Sequence, residues 1–123
     1  MPLGKRELAR IERRLIATLT DACETAKSEI KGFTWLTHTA DLNALAQTLK
    51  VTWVFETLAD RKLAETTAKV RILELTAIAL KEADIDLVPS DRTVRLDSEE
   101  ECQRTQGGDW HKRLAQFSVS KGY

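Results

Sequence analysis

Cysteine and long apolar runs are both scarce in this 123-residue chain. The two cysteines, Cys23 and Cys102, lie far apart and form no CxxC pattern, which excludes a disulfide-dense scaffold and a cysteine-rich zinc fold. No apolar run approaches the roughly 20 residues of a membrane helix, and no charged-then-apolar leader precedes a cleavage site. These absences predict a cytoplasmic protein with free thiols and no membrane association.

The chain also lacks the short motifs that mark common catalytic and cofactor sites. It has no phosphate-loop, dinucleotide-binding or nucleophile-elbow motif, and Gly107 and Gly108 fit a helix stop better than a phosphate loop. The two histidines, His38 and His111, have no histidine or cysteine at zinc-ligand spacing. We therefore favour a non-enzymatic protein with no cofactor and no metal.

Positive and negative side chains balance at 19 each, so the chain as a whole has no general attraction to a polyanion. The charges are nevertheless segregated along the sequence. Residues 1–32 carry a net charge of +2, residues 84–102 carry −5, and residues 103–123 carry +3. Any electrostatic recognition must therefore come from a local patch.

Two long stretches have the three- and four-residue apolar spacing that is typical of an amphipathic helix. The first runs from Gly4 to Lys31, and Gly32 then favours a helix end. Cys23 lies on its apolar stripe, so we expect a small core residue there. The second stretch runs from about residue 58 to residue 83 and is expected to be one helix.

Alternation with a period of two, rich in aromatic and β-branched residues, predicts strands at about residues 33–40 and 49–56. A third strand is expected at residues 93–97. Simple alternation places Trp35 and Trp53 on the core face, so we expect both indoles to lie beneath the helices.

The segment from residue 95 to residue 114 reads RLDSEEECQRTQGGDWHKRL. Ser98 and Glu101 have the spacing of a capping box, which predicts a helix start. Asp109 is expected to cap a last helix, whose apolar side carries Trp110, Leu114 and Phe117. Residues 118–123 are expected to form a loosely held tail.

These elements predict a single α+β domain over residues 1–123, in the order α-β-β-α-β-α. We expect a two-layer sandwich in which a small antiparallel sheet of about three to four strands packs on two long helices. The second face of the sheet is too apolar to meet only water. Either the C-terminal helix or a second copy of the protein is expected to cover it, and we predict a homodimer.

A metal-assisted hydrolase is the alternative from another class of protein. It would use Asp97, Glu99 and Glu100 together with His38 or His111. Acids at a helix start are common caps, however, and they splay around the helix axis. Convergence of these acids and a histidine in one pocket would favour the enzyme.

Nucleic-acid binding is a further alternative. Trp35, Trp53 and Phe55 have the character of a stacking platform, but their face carries apolar residues where a platform would carry bases. Residues 98–117 have the length of a helix-turn-helix, although the first of its helices would bring acids toward the phosphates.

Four blocks of sequence carry a resemblance to a known group. They are GFTWLTH (32–38), VTWVFET (51–57), RLDSEEEC (95–102) and GGDW (107–110). With these blocks the chain resembles short bacterial proteins labelled Fis-family transcriptional regulators, over residues 8–114. That resemblance implies a DNA-binding regulator. A Fis regulator is all helical, whereas this chain has aromatic strands, so no functional residue is carried over.

Taken together, the residues favour a small binding, regulatory or accessory protein that acts through contacts with another protein, with nucleic acid as a less supported partner. Its contact surface would be built from basic side chains at the two ends of the chain. The residues predicted for this surface are Lys5, Arg6, Arg10, Arg13, Arg14, Lys112 and Arg113.

Overall fold

The computed structural model describes residues 4–118, with side chains to Gln116. The α+β order α-β-β-α-β-α is confirmed, with some helices divided. The elements are α1 (Lys5–Glu29), β1 (Phe33–Thr39), a 3-10 turn (Leu42–Ala44), α2 (Leu45–Thr48), β2 (Lys50–Phe55), α3 (Leu58–Thr67), α4 (Lys69–Glu82), β3 (Val94–Ser98), α5 (Glu99–Gln106) and α6 (Trp110–Ser118). The tail expected over residues 118–123 lies outside the described residues, apart from Ser118 at the end of α6.

The three strands form one mixed sheet in the order β1-β2-β3. β1 pairs with β2 in the antiparallel direction, as expected for neighbouring strands with a short link. β3 instead runs parallel to β2, which corrects the prediction of a wholly antiparallel sheet. The reason lies in residues 56–93. This link contains α3 and α4 and is long enough to return the chain to the end of the sheet at which β2 begins.

The hydrophobic core lies between the sheet and helices α1 and α4. Trp53 is completely buried at its centre, and its ring centroid lies 5.1 Å from that of Phe33. Leu15 and Leu19 of α1 and Ile72 of α4 are buried against it, as the spacing of apolar residues in the helices requires. The second face of the sheet is turned away from this core and carries polar residues such as Thr52 and Arg95.

A bulge near the start of β1 changes which side chains face the core. The pairing shifts between Phe33 and Trp35, and from there Leu36 lies opposite Trp53. One extra residue in a strand reverses its alternation, so Trp35 moves to the second face and Leu36 to the core face. The prediction that Trp35 is buried beneath the helices is therefore wrong, whereas it is confirmed for Trp53.

The stretch expected as one helix over residues 58–83 is two helices, α3 and α4. They meet at Ala68, whose backbone angles of φ −122° and ψ 0° interrupt the helix. The interruption shifts the buried face, so Val70 is exposed while Ile72 is fully buried. Among residues 4–118, no helix is both long and apolar enough to cross a membrane.

The turn after α1 requires a glycine. Gly32 has a φ of +80°, a region that residues with a side chain rarely adopt. A Cβ atom at this position would also collide with the side chain of Asp60 in α3. Gly32 therefore allows α3 to approach the end of α1 closely, in addition to its expected role next to the end of that helix.

Candidate functional site

The acidic segment from Asp97 to Glu101 contains four carboxylates, and each of them binds a group from another part of the protein. Asp97 binds two arginines, Glu99 binds two indoles, and Glu101 binds Arg61 through both carboxylate oxygens. Glu100 accepts a hydrogen bond from the backbone N–H of Leu58 at the start of α3 and another from Arg104. These acids attach α5 and α6 to the sheet and to α3.

Asp97 is the centre of a buried ion triad between β3 and α6. Its carboxylate is 1% exposed and accepts hydrogen bonds from Arg113 Nε at 2.6 Å and Nη2 at 2.8 Å. Arg95 Nη2 lies 2.8 Å from the same carboxylate. Burial alone would raise the pKa of Asp97, but the hydrogen bond from Arg113 and the charge of Arg95 outweigh it and lower that pKa. The triad therefore holds Asp97 ionised.

Glu99 joins two tryptophans on the second face of the sheet. Its Oε2 accepts a hydrogen bond of 2.7 Å from the indole of Trp35, and its Oε1 accepts one of 2.8 Å from the indole of Trp110. The two rings meet edge to face, with centroids 5.0 Å apart at 84°. The second face is thus covered at this end by α6, one of the two possibilities that the sequence left open.

We expect Glu99→Gln to lower the free energy of unfolding by about 1–3 kcal/mol, because a hydrogen bond to a charged group is stronger than one to an amide. Glutamine offers one acceptor oxygen, so one of the two indoles loses its partner. Urea denaturation followed by tryptophan fluorescence measures the change. Glu56→Gln, at an exposed acid after β2, is the matched control and is expected to have little effect. Equal stability of both variants would contradict a structural role for Glu99.

The residues of the hydrolase alternative do not come together. His38 lies opposite Val51 on the core side of the sheet, whereas Asp97 lies opposite Val54 on the second face. His111 is exposed on α6. Burial lowers the pKa of His38, although the negative charge of Glu12 on α1 opposes that shift. Within residues 4–118, no three histidine, cysteine or acidic side chains are placed to hold a metal ion.

The predicted basic residues of α1 lie where the helical period places them. All five, Lys5, Arg6, Arg10, Arg13 and Arg14, are exposed. Arg10 lies 3.7 Å from Glu7, and Arg14 lies 3.1 Å from Asp84. For Lys5, Arg6 and Arg13, no carboxylate lies within ion-pair distance in the described part of the chain. We call these five residues the α1 basic face.

The two basic residues predicted on α6 have different environments, because only one of them faces solvent. Lys112 is exposed, but Arg113 is 8% exposed and turned toward the sheet. Arg113 is therefore not available to an external polyanion, which corrects its place in the predicted contact surface. Sequence reasoning missed its partner, since Asp97 and Arg113 are 16 residues apart and in different elements. The sequence did contain one indication of this ion pairing. Arg95 and Asp97 are two residues apart in a strand, and such residues share a face of the sheet.

Both cysteines carry free thiols, as expected. Cys102 is the buried residue of α5, and burial raises the pKa of its thiol, so the reactive thiolate form is disfavoured. Cys23 is half-buried and packs against the core.

Comparison of the chain with protein-family models, with curated proteins and with solved structures gives no match.

Proposed function

We propose that this protein is a non-catalytic accessory protein that binds an acidic macromolecular partner through the α1 basic face. The observation that carries this proposal is the exposure of Arg6, Arg10 and Arg13 on the side of α1 away from the buried Leu15 and Leu19. Since a helix rises 1.5 Å per residue, Arg6 and Arg13 are about 10 Å apart along the helix axis. This row of guanidinium groups can contact carboxylates or phosphates that are repeated along a partner.

An acidic protein is the favoured partner, and nucleic acid, which the Fis-like resemblance implies, is the second candidate. The same arginines would contact the backbone phosphates. Support for a recognition helix in α6 is weaker, because Arg113 and Trp110 are turned toward the sheet.

A homodimer remains part of this proposal. Its support is now the two edge strands, β1 and β3, which offer backbone groups for pairing.

We expect Arg6→Ala/Arg10→Ala/Arg13→Ala to elute from a heparin column at a clearly lower salt concentration than the unaltered protein. Each lost ionic contact reduces the number of counterions released on binding, so the dependence of binding on salt becomes less steep. The measurement is the elution salt concentration, and light scattering on the same preparations reports the oligomeric state.

The matched control removes three exposed lysines from other elements, Lys31→Ala/Lys62→Ala/Lys81→Ala. It produces the same change in net charge. Equal shifts for the two triple variants would show that only net charge matters and would refute a localised surface. If the α1 variant alone loses retention, competition between an acidic protein and duplex DNA identifies the class of partner.

A further inference from the structure

A separate cleft of about 310 Å³ lies on the second face of the sheet, between α6 and the beginning of α4. Its floor comes from all three strands, because Thr39 pairs with Lys50 across β1 and β2, and Thr52 pairs with Arg95 across β2 and β3. Leu114 of α6 forms part of one wall. Since cross-strand partners lie side by side, the polar groups of the floor are fixed before any ligand arrives.

The cleft contains more positive than negative charge. Four bases line it against two acids, an excess of two positive charges. Both acids are paired, since Lys69 lies 3.4 Å from Glu65 and 3.0 Å from Asp91, and Glu65 also lies 3.0 Å from Arg61. Arg95 is paired with Asp97, which lies behind the cleft. Because Asp97 is also paired with Arg113, the three side chains together carry no net negative charge.

The excess is located at Lys50 and Arg92. Lys50 Nζ donates a hydrogen bond of 2.6 Å to the backbone carbonyl of Arg92. In the part of the chain that the structure describes, neither side chain has a carboxylate within ion-pair distance. Burial lowers the pKa of Arg95, although the charge of Asp97 and its hydrogen bond oppose that shift. An anion in this cleft would meet the partly buried side chains of Lys50 and Arg95 and the exposed side chain of Arg92.

We propose that this cleft is a binding site for a small organic phosphate, with Lys50, Arg92 and Arg95 contacting the phosphate. A phosphate monoester carries a charge of about −1.5 to −2 at pH 7, which matches the excess in the cleft, whereas a single carboxylate does not. The threonine hydroxyls at the floor supply further hydrogen bonds, and Leu114 contacts the organic part. The volume is near the lower end of the range for ligand pockets, about 300–1,000 Å³, so the ligand is small.

Calorimetric titration of the full chain with glycerol 3-phosphate, ribose 5-phosphate and inorganic phosphate tests this site, with glycerol and ribose as uncharged controls. We expect saturable binding of at least one phosphate ester and no binding of the uncharged compounds. Lys50→Gln/Arg92→Gln is expected to weaken this binding at least 10-fold. Because neither residue is paired with an acid, the double variant leaves no carboxylate without its partner and is expected to remain folded.

Lys31→Gln/Lys62→Gln, at exposed lysines outside the cleft, is the matched control and is expected to retain the affinity. No saturable binding of any of the three phosphates at 10 mM, or equal affinity in the cleft variant, would overturn the proposal. Heparin retention separates this site from the α1 basic face, because the cleft variant is expected to keep it. Loss of phosphate binding in the Arg6/Arg10/Arg13 variant would overturn the assignment to the cleft.

Discussion

Replacement of Asp97 by alanine is expected to lower the free energy of unfolding by about 3–5 kcal/mol. The carboxylate is almost fully buried between Arg113 and Arg95, and its removal leaves two guanidinium groups without their acid. Urea denaturation followed by circular dichroism measures the loss. Because the triad attaches α6 to the sheet, hydrogen exchange of the α6 amides is expected to increase as well.

Two further variants separate charge from shape at this position. Asp97→Asn keeps the shape but removes the charge, so it is expected to destabilise the protein nearly as much as alanine. Asp97→Leu/Arg113→Met replaces the bidentate pair with apolar side chains, which often recovers stability in a buried site, and it is expected to be more stable than Asp97→Ala. A loss of less than about 1 kcal/mol in both Asp97→Ala and Asp97→Asn would show that the triad does not stabilise the fold.

The pH dependence gives an independent measurement of the same interaction. The pKa of Asp97 is lowered in the folded state, so its stabilisation is fully present above the unfolded value of about 3.9. It is lost progressively as the pH falls through the folded-state pKa. The difference in stability between the unaltered protein and Asp97→Asn is therefore expected to be constant near neutrality and to shrink in acid. A difference that grows as the pH falls would contradict this assignment.

Replacement of Trp53 by alanine is expected to lower the free energy of unfolding by about 3–5 kcal/mol. The indole is completely buried at the centre of the core, in contact with the ring of Phe33, and a cavity would remain in its place. Denaturant titration followed by far-ultraviolet circular dichroism measures the loss. This readout does not depend on the tryptophan that is removed.

Trp53→Phe is the matched control. The indole N–H of Trp53 has no hydrogen-bond partner among the residues that the structure describes, so phenylalanine removes a buried donor while keeping an aromatic ring. Its loss of stability is expected to be well below that of the alanine variant.

Acrylamide is expected to quench the fluorescence of Trp35 and Trp110 more readily than that of Trp53, since the indoles of Trp35 and Trp110 are partly exposed. Comparable quenching of Trp53 would contradict the core described above.

Reasoning from local pattern succeeded where a few neighbouring residues decide the outcome. Ser98 accepts a hydrogen bond from the backbone N–H of Glu101, and Asp109 accepts one from that of Lys112, as their spacing predicts. The exposed row of bases on α1 follows from the helical period alone. Two acids of the candidate hydrolase site, Glu99 and Glu100, lie at a helix start as expected, whereas Asp97 lies in β3, and the partners of all three were not foreseen.

Those partners were not foreseen because they come from distant parts of the chain. Trp35 and Glu99 are 64 residues apart, and nothing in the local sequence of either shows that they meet. The cationic cleft has the same origin, since Lys50, Lys69 and Arg95 lie on three different elements. Their separate positions in the sequence suggest ordinary surface bases, and only the sheet brings them to one place.

By itself, the sequence determined the helix and strand types, the helix caps and the apolar identity of the core, because each depends on residues within a few positions of one another. The tertiary structure alone decided the parallel direction of β3, the bulge that turns Trp35 away from the core, and the ion triad at Asp97. Each of these depends on pairing between distant segments. Their free energies come from contacts that form only when the whole sheet and its helices pack together.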